Sequence, residues 1–176
     1  MSGISPLNAT STILKMGNNN NNVFPSHFRE FIEALNINKV EYLLIGGYAI
    51  GAYGHIRSTG ELDIFVNATE DNANKAISAC LDYGIPRENL SKEMFLVPKM
   101  VGIGEIPLRI EILKKLDVVD FKYAFQRAIK AVVDGIQINV VSLEDLILLK
   151  KAAVKNRNKL RDSEDLAFLQ MLKNKT

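Results

Sequence analysis

Hydrophobic positions fall into a regular rhythm only from residue 25 onward. Phe28, Phe31, Ile32 and Leu35 recur at helical spacing behind Pro25, with Ser26 placed as a cap, and predict a first amphipathic helix. Tyr42-Leu43-Leu44-Ile45 is a short apolar run stopped by Gly46-Gly47. Ala49, Ile50, Ala52 and Tyr53 then predict a short helix closing near Gly54. Leu62, Ile64 and Val66 alternate with Glu61, Asp63 and Phe65, the period of a half-buried strand. A helix over residues 71–82 follows, with Ala73, Ala76, Ile77, Cys80 and Leu81 expected to face inward. Residues 94–97 and, more strongly patterned, 108–113 predict strands, and 121–128 a helix running into a strand at 131–133. Asp134-Gly135 separates two apolar runs as a type I′ hairpin turn does, returning through residues 136–140. Ser142 with Asp145 three positions on makes an approximate capping box for a helix striped by Leu143, Leu146, Ile147, Leu149 and Ala153. A last helix is expected over 162–172.

Strands interleaved with helices and ending in two helices predict a mixed α/β (α+β) fold, one small mixed β-sheet with helices packed against it. Residues 1–22 are rich in Ser, Asn, Gly and Thr and end in five consecutive asparagines, so they read as a flexible tail, leaving 23–176 as a single domain. At 176 residues and 47% hydrophobic composition the chain has enough apolar side chains for a core of its own. A lone cysteine, Cys80, closes no intrachain disulfide, and His27 and His55 are too few for a Cys/His zinc site. With no apolar run of membrane-spanning length, no secretory signal pattern and no DNA-binding motif, the expectation is a cytoplasmic protein away from membranes.

Charge is unevenly spread. The total is +2, but from Lys150 to the end eight basic residues face three acidic ones, and the remainder of the chain is slightly acidic. A solvated helix face explains such a basic end, and so does contact with phosphates or RNA.

The chemistry-bearing residues cluster in residues 45–66. Two glycines where a strand meets a helix let backbone N–H groups approach an anion at a helix N-terminus. The run fits neither Walker A, which needs Gly-Lys-Ser/Thr, nor the Rossmann spacing. Glu61 and Asp63, two apart on a strand, point to one face, where two like charges either raise each other's pKa or recruit a hard cation such as Mg²⁺. Glu111, on the other well-marked strand, shares a face with Arg109 and Leu113 and supplies a third carboxylate.

These residues resemble the nucleotidyltransferase superfamily of the DNA polymerase β type, in its small prokaryotic form. Gly46-Gly47 match the family's glycine pair, Glu61-Leu62-Asp63 its acidic motif, and Arg109-Ile110-Glu111 the place of its third carboxylate. Arg57-Ser58-Thr59 is similar to the Arg-x-Thr that leads into the acidic motif, and residues 142–150 and 161–166 are similar to the closing helices. The resemblance spans Tyr42 to about Leu169. It implies transfer of a nucleoside monophosphate from an NTP to a hydroxyl of an RNA, protein or small molecule. Two Mg²⁺ ions, or Mn²⁺, would sit on Glu61, Asp63 and Glu111, with Glu111 as the base. Gly46, Gly47, Arg57, Thr59, Lys150 and Arg161 would hold the triphosphate. Some members of this small group are toxins of toxin–antitoxin pairs, which makes an antitoxin a possible partner. The family's first metal carboxylate is normally Asp, and here it is Glu61. The departure leaves two expectations open, a working transferase or a catalytically degenerate nucleotide-binding or interaction module.

Overall fold

In a computed structural model, residues 22–176 are described. The chain runs α1 (Ser26–Ile37), β1 (Tyr42–Ile45), α2 (Gly46–Ala52), β2 (Glu61–Val66), α3 (Glu70–Tyr83), a 3₁₀ turn at Arg87–Asn89, α4 (Glu93–Leu96), β3 (Val101–Ile103), β4 (Arg109–Leu113), α5 (Phe121–Gln126), β5 (Ile129–Val133), β6 (Ile136–Val140), α6 (Leu143–Arg157) and α7 (Leu160–Lys175). The expected tail lies outside the described residues except for Asn22, which is exposed.

Six strands form one mixed sheet in the order β3-β4-β2-β1-β6-β5. β2 runs parallel to β4 and antiparallel to β1, while β1 pairs in parallel with β6. Leu62, Ile64, Ile110 and Ile112, which alternate with the charged residues of β2 and β4, are buried. The core draws on Phe28, Phe31, Ile32 and Leu35 of α1 and on Ala73, Ala76 and Cys80 of α3, and α1 packs along α3. The α/β fold expected from the sequence is therefore present, with seven α-helices among the described residues. The β5–β6 turn has positive φ at both Asp134 (51°) and Gly135 (78°), as a type I′ turn requires.

Three local expectations need correction, and one strand was missed. Residues 94–97 are not a strand: Glu93–Leu96 is a single helical turn that sinks Phe95 into the core against α3, and so short an apolar run carries no period of its own. β3, an edge strand of three residues with Gly102 at its centre, was not expected. Leu81 is 38% exposed, because the inward face of α3 is completed by Ala79 and Cys80. Ser26 makes no cap; it is the first helical residue behind Pro25, and the Phe28 and Arg29 N–H groups donate to the Pro25 carbonyl. By contrast Thr69, Asp120 and Ser142 each cap a helix through a side-chain oxygen.

Candidate active site

Strand register assembles the carboxylates. In the parallel β2–β4 pair, Glu61 lies opposite Arg109 and Asp63 opposite Glu111, so all four side chains leave the same face of the sheet. Glu61, Asp63 and Glu111 each bring a carboxylate oxygen within 4.8 Å of the others, a cluster able to hold a metal ion. Glu61 is exposed, and the other two are half-buried.

This crowding leaves an electrostatic mark. The Asp63 carboxyl is pushed from 3.8 up to about 7, first by burial and then by the negative charges of Glu111 and Glu61 and a hydrogen bond with Glu111, and the nearby Lys150 ammonium offsets part of the rise. Such a site favours a proton or a cation. Its donors are all hard oxygens, and the crowding is what a divalent ion relieves, so the residues present fit Mg²⁺ or Mn²⁺.

The glycine pair forms the wall beside the carboxylates. α2 begins directly at Gly46, whose φ of +70° suits glycine, and a Cβ there would overlap the Asp63 carboxylate. A Cβ on Gly47 would sit 2.7 Å from the Thr59 hydroxyl oxygen and 3.2 Å from the Arg57 guanidinium. The Tyr48 hydroxyl donates to the Thr59 carbonyl at 3.3 Å, tying the 57–60 loop to the helix. A cavity of about 520 Å³ continues from Gly47, Arg57 and Thr59 to an apolar wall that includes Phe24, Tyr48 and Ile56.

A buried ionic network reaches the site from the C-terminal helices. Asp165, with no exposed side chain, accepts two hydrogen bonds from Arg57, both at 2.8 Å, and lies 2.9 Å from the Lys150 ammonium. Burial alone would raise its carboxyl; the bonds from Arg57 and Lys150 outweigh that and hold it below the usual carboxylate range. Asp162 accepts from Lys150 at 2.9 Å and Arg157 at 3.1 Å. His55 stands 3.7 Å from Asp165 and stacks on Phe168.

The structure thus brings Gly46, Gly47, Arg57, Thr59 and Lys150 into one assembly with Glu61, Asp63 and Glu111. Arg161 is exposed near the start of α7 and takes no part in that network. Sequence reasoning singled out neither Asp162 nor Asp165. Their signal was present: Asp162 and Asp165 share a helical face with buried Leu169, seven and four residues before it, so two acids occupy core positions of α7.

Comparison with known proteins agrees with this geometry. No curated protein matches the chain. The crystal structure of the lincosamide antibiotic adenylyltransferase LnuA, lincomycin-bound, superposes with a TM-score of 0.54 at 16% identity, covering 85% of this chain and 98% of that one, and so shares the fold. Among the described residues no helix is long and apolar enough to cross a membrane. The family model described as "Nucleotidyl transferase of unknown function (DUF2204)" matches residues 25–173, nearly all of the described chain, and the protein belongs to that nucleotidyl transferase family.

Proposed function

We propose that the chain transfers a nucleoside monophosphate from an NTP to a hydroxyl of an RNA, protein or small-molecule acceptor, releasing pyrophosphate. The observation that carries this reading is the convergence of Glu61, Asp63 and Glu111 beside Gly46. Glu61, Asp63 and Glu111 would hold one or two Mg²⁺ or Mn²⁺ ions. When bound, such ions supply Lewis-acid charge for the phosphates and acidify the attacking hydroxyl. Gly46 and Gly47 present backbone N–H groups to the triphosphate, and Arg57, Thr59 and Lys150 add donors around them, with Arg161 a further cation at the head of α7. Glu111 accepts the acceptor's hydroxyl proton. The acceptor oxygen then bonds to the α-phosphorus as the bond from that phosphorus to the β-phosphate bridging oxygen breaks, and the electron pair leaves with pyrophosphate.

A small-molecule acceptor is in keeping with the shared fold of an antibiotic adenylyltransferase and with the cavity beside Gly47, which has room for an organic body. Toxin action, with an antitoxin partner and a cytoplasmic site, rests on the sequence resemblance. Expression that leaves growth unchanged would remove that role without touching the chemistry.

The test incubates the protein with host RNA, host protein and lincomycin, using each α-labelled NTP in turn with Mg²⁺. The wild type is expected to transfer label and release pyrophosphate, and Asp63→Ala to do neither. Equal label transfer by both would overturn the site. Mg²⁺-dependent NTP binding without any turnover would instead favour the degenerate binding module that Glu61 raises.

A further inference from the structure

On the carboxylate face, one cation among the described residues has no carboxylate within hydrogen-bond distance. Arg57 pairs with Asp165, and Lys150 with Asp165 and Asp162, at 2.8–2.9 Å. The cation without such a carboxylate is Arg109. Its guanidinium lies across Gly102 of the edge strand, in space that a Cβ on that glycine would fill. Its Nε is buried and has no hydrogen-bond partner among the described residues. Nε is 3.8 Å from Glu111, an ion-pair distance too long for a hydrogen bond, and Nη2 reaches the Met100 thioether at 3.9 Å. Arginine carries five donors in a fixed fork. Here the fork is held in place by a glycine slot while, among the described residues, Nε has no hydrogen-bond partner and Nη2 has only a thioether.

Its position gives those donors a use. Gly102 pairs with Glu111 and Glu111 with Asp63, and Gly46 abuts Asp63. Across the site the order is therefore Arg109 guanidinium, Glu111, Asp63, glycine pair. In-line displacement puts the attacking oxygen and the leaving pyrophosphate on opposite sides of the α-phosphorus. With the triphosphate gripped at the glycine pair, the acceptor approaches from the Glu111 side, where Arg109 stands. An anion on the acceptor would meet the negative charges of Glu111 and Glu61 there, and Arg109 is the cation placed to offset them. Met100, which the guanidinium touches, is an apolar side chain 44% exposed beside it.

Building on the transferase reading, we infer that Arg109 is an acceptor-binding residue that selects a hydroxyl flanked by a phosphate group. A guanidinium fork fits a phosphate bidentately, and a neutral sugar or hydroxylated drug gains far less from it.

The experiment measures binding, so it does not depend on turnover. Each of the four α,β-methylene NTPs is titrated with Mg²⁺ to find one that binds. At saturation with that analogue, binding of adenosine, 5′-AMP and the dinucleoside monophosphate CpA is compared by calorimetry. The wild type is expected to bind at least one phosphate-bearing probe ten times or more tightly than adenosine. A preference for 5′-AMP points to a phosphomonoester acceptor, and one for CpA to a phosphodiester such as an RNA end. Arg109→Gln should erase the preference while leaving the methylene analogue's affinity within about twofold, and Arg109→Lys should keep part of it. Gly102→Ala, which leaves the charge in place but closes the slot, should act like Arg109→Gln.

No preference in the wild type, or one that survives both Arg109→Gln and Gly102→Ala, overturns the inference. So does an Arg109→Gln effect on the Mg²⁺–analogue complex alone, which would make Arg109 merely a counter-ion for Glu111. If no analogue binds to the wild type, the transferase reading fails and this inference falls with it.

Discussion

Asp63→Asn in the metal-free protein should stabilise it at pH 8 and leave its stability unchanged at pH 4. Asp63 carries a carboxyl raised from 3.8 to about 7 by burial and by Glu111 and Glu61. In the unfolded chain the group titrates near its ordinary value. Between roughly pH 4 and 7 the folded protein therefore holds a proton that the unfolded chain has lost, and stability falls as pH rises through that window. At 1.36 kcal/mol per pKa unit the full penalty above pH 7 is at most about 4 kcal/mol. For a domain of this size that corresponds to a difference in Tm on the order of 10 °C. Asparagine keeps the shape and cannot ionise, so the penalty is absent from the variant. Asp165 responds in the opposite sense, because its lowered carboxyl gives stability that is lost in acid. Subtracting the variant's profile from that of the wild type cancels this and other shared titrations. The assay is urea unfolding in EDTA at half-unit steps from pH 4 to 8.5, repeated in 5 mM MgCl₂. Magnesium should close the gap at pH 8 by stabilising the wild type and not the variant, since a ligand that binds only the folded state stabilises it by mass action. A variant no more stable than wild type at pH 8 in EDTA would refute the crowding argument. Equal stabilisation of both proteins by Mg²⁺ would refute the assignment of Asp63 as a ligand.

Asp165→Asn leaves Arg57 and Lys150 buried without their shared counter-charge and should cost about 3–5 kcal/mol by urea unfolding at pH 7, with the deficit shrinking in acid as the wild-type carboxyl protonates. Gly46→Ala meets both a left-handed φ and the Asp63 carboxylate, and is expected to lower pyrophosphate release about 100-fold while costing roughly 1–2 kcal/mol of stability; near-normal turnover would mean that Gly46 does not set the carboxylate's position. Gly51→Ala has open space at its Cβ inside α2 and should raise stability by about 0.5–1 kcal/mol in a thermal melt.

What could be read from the sequence depended on whether a local period existed. β2 and β4 were legible because charged and apolar residues alternate along them, and that same alternation put Glu61, Asp63 and Glu111 on one face before any pairing was known. The hairpin at Asp134-Gly135 was legible because few residues other than Asn, Asp and Gly adopt two successive positive φ values. Residues 94–97 were not, since one turn of helix and one short strand both bury a single phenylalanine. β3 escaped notice because three residues with a central glycine show no alternation. The slot that holds Arg109 was lost with it, so Arg109 could be placed on the right face but not at the acceptor end.

The C-terminal charges show why composition alone misplaces function. The basic excess after Lys150 invited one explanation for the whole segment, yet the structure divides it. Lys150 turns inward onto Asp162 and Asp165 and lies close enough to offset part of the rise in the Asp63 carboxyl, and Arg157 reaches Asp162 from the surface, whereas Lys151, Lys155, Lys159 and Arg161 stay exposed. An inward lysine at the fourth position after Leu146, itself buried, is a polar residue in a core stripe, and such a residue is retained only when something buried needs its charge. Here two buried acids need it. One of them, Asp165, also holds Arg57 in the loop that leads into Glu61, so α6 and α7 fix the glycine-pair wall and the acidic strand relative to each other. The closing helices therefore act on the site through charge pairs they have already made, and the outward lysines form a separate, exposed surface.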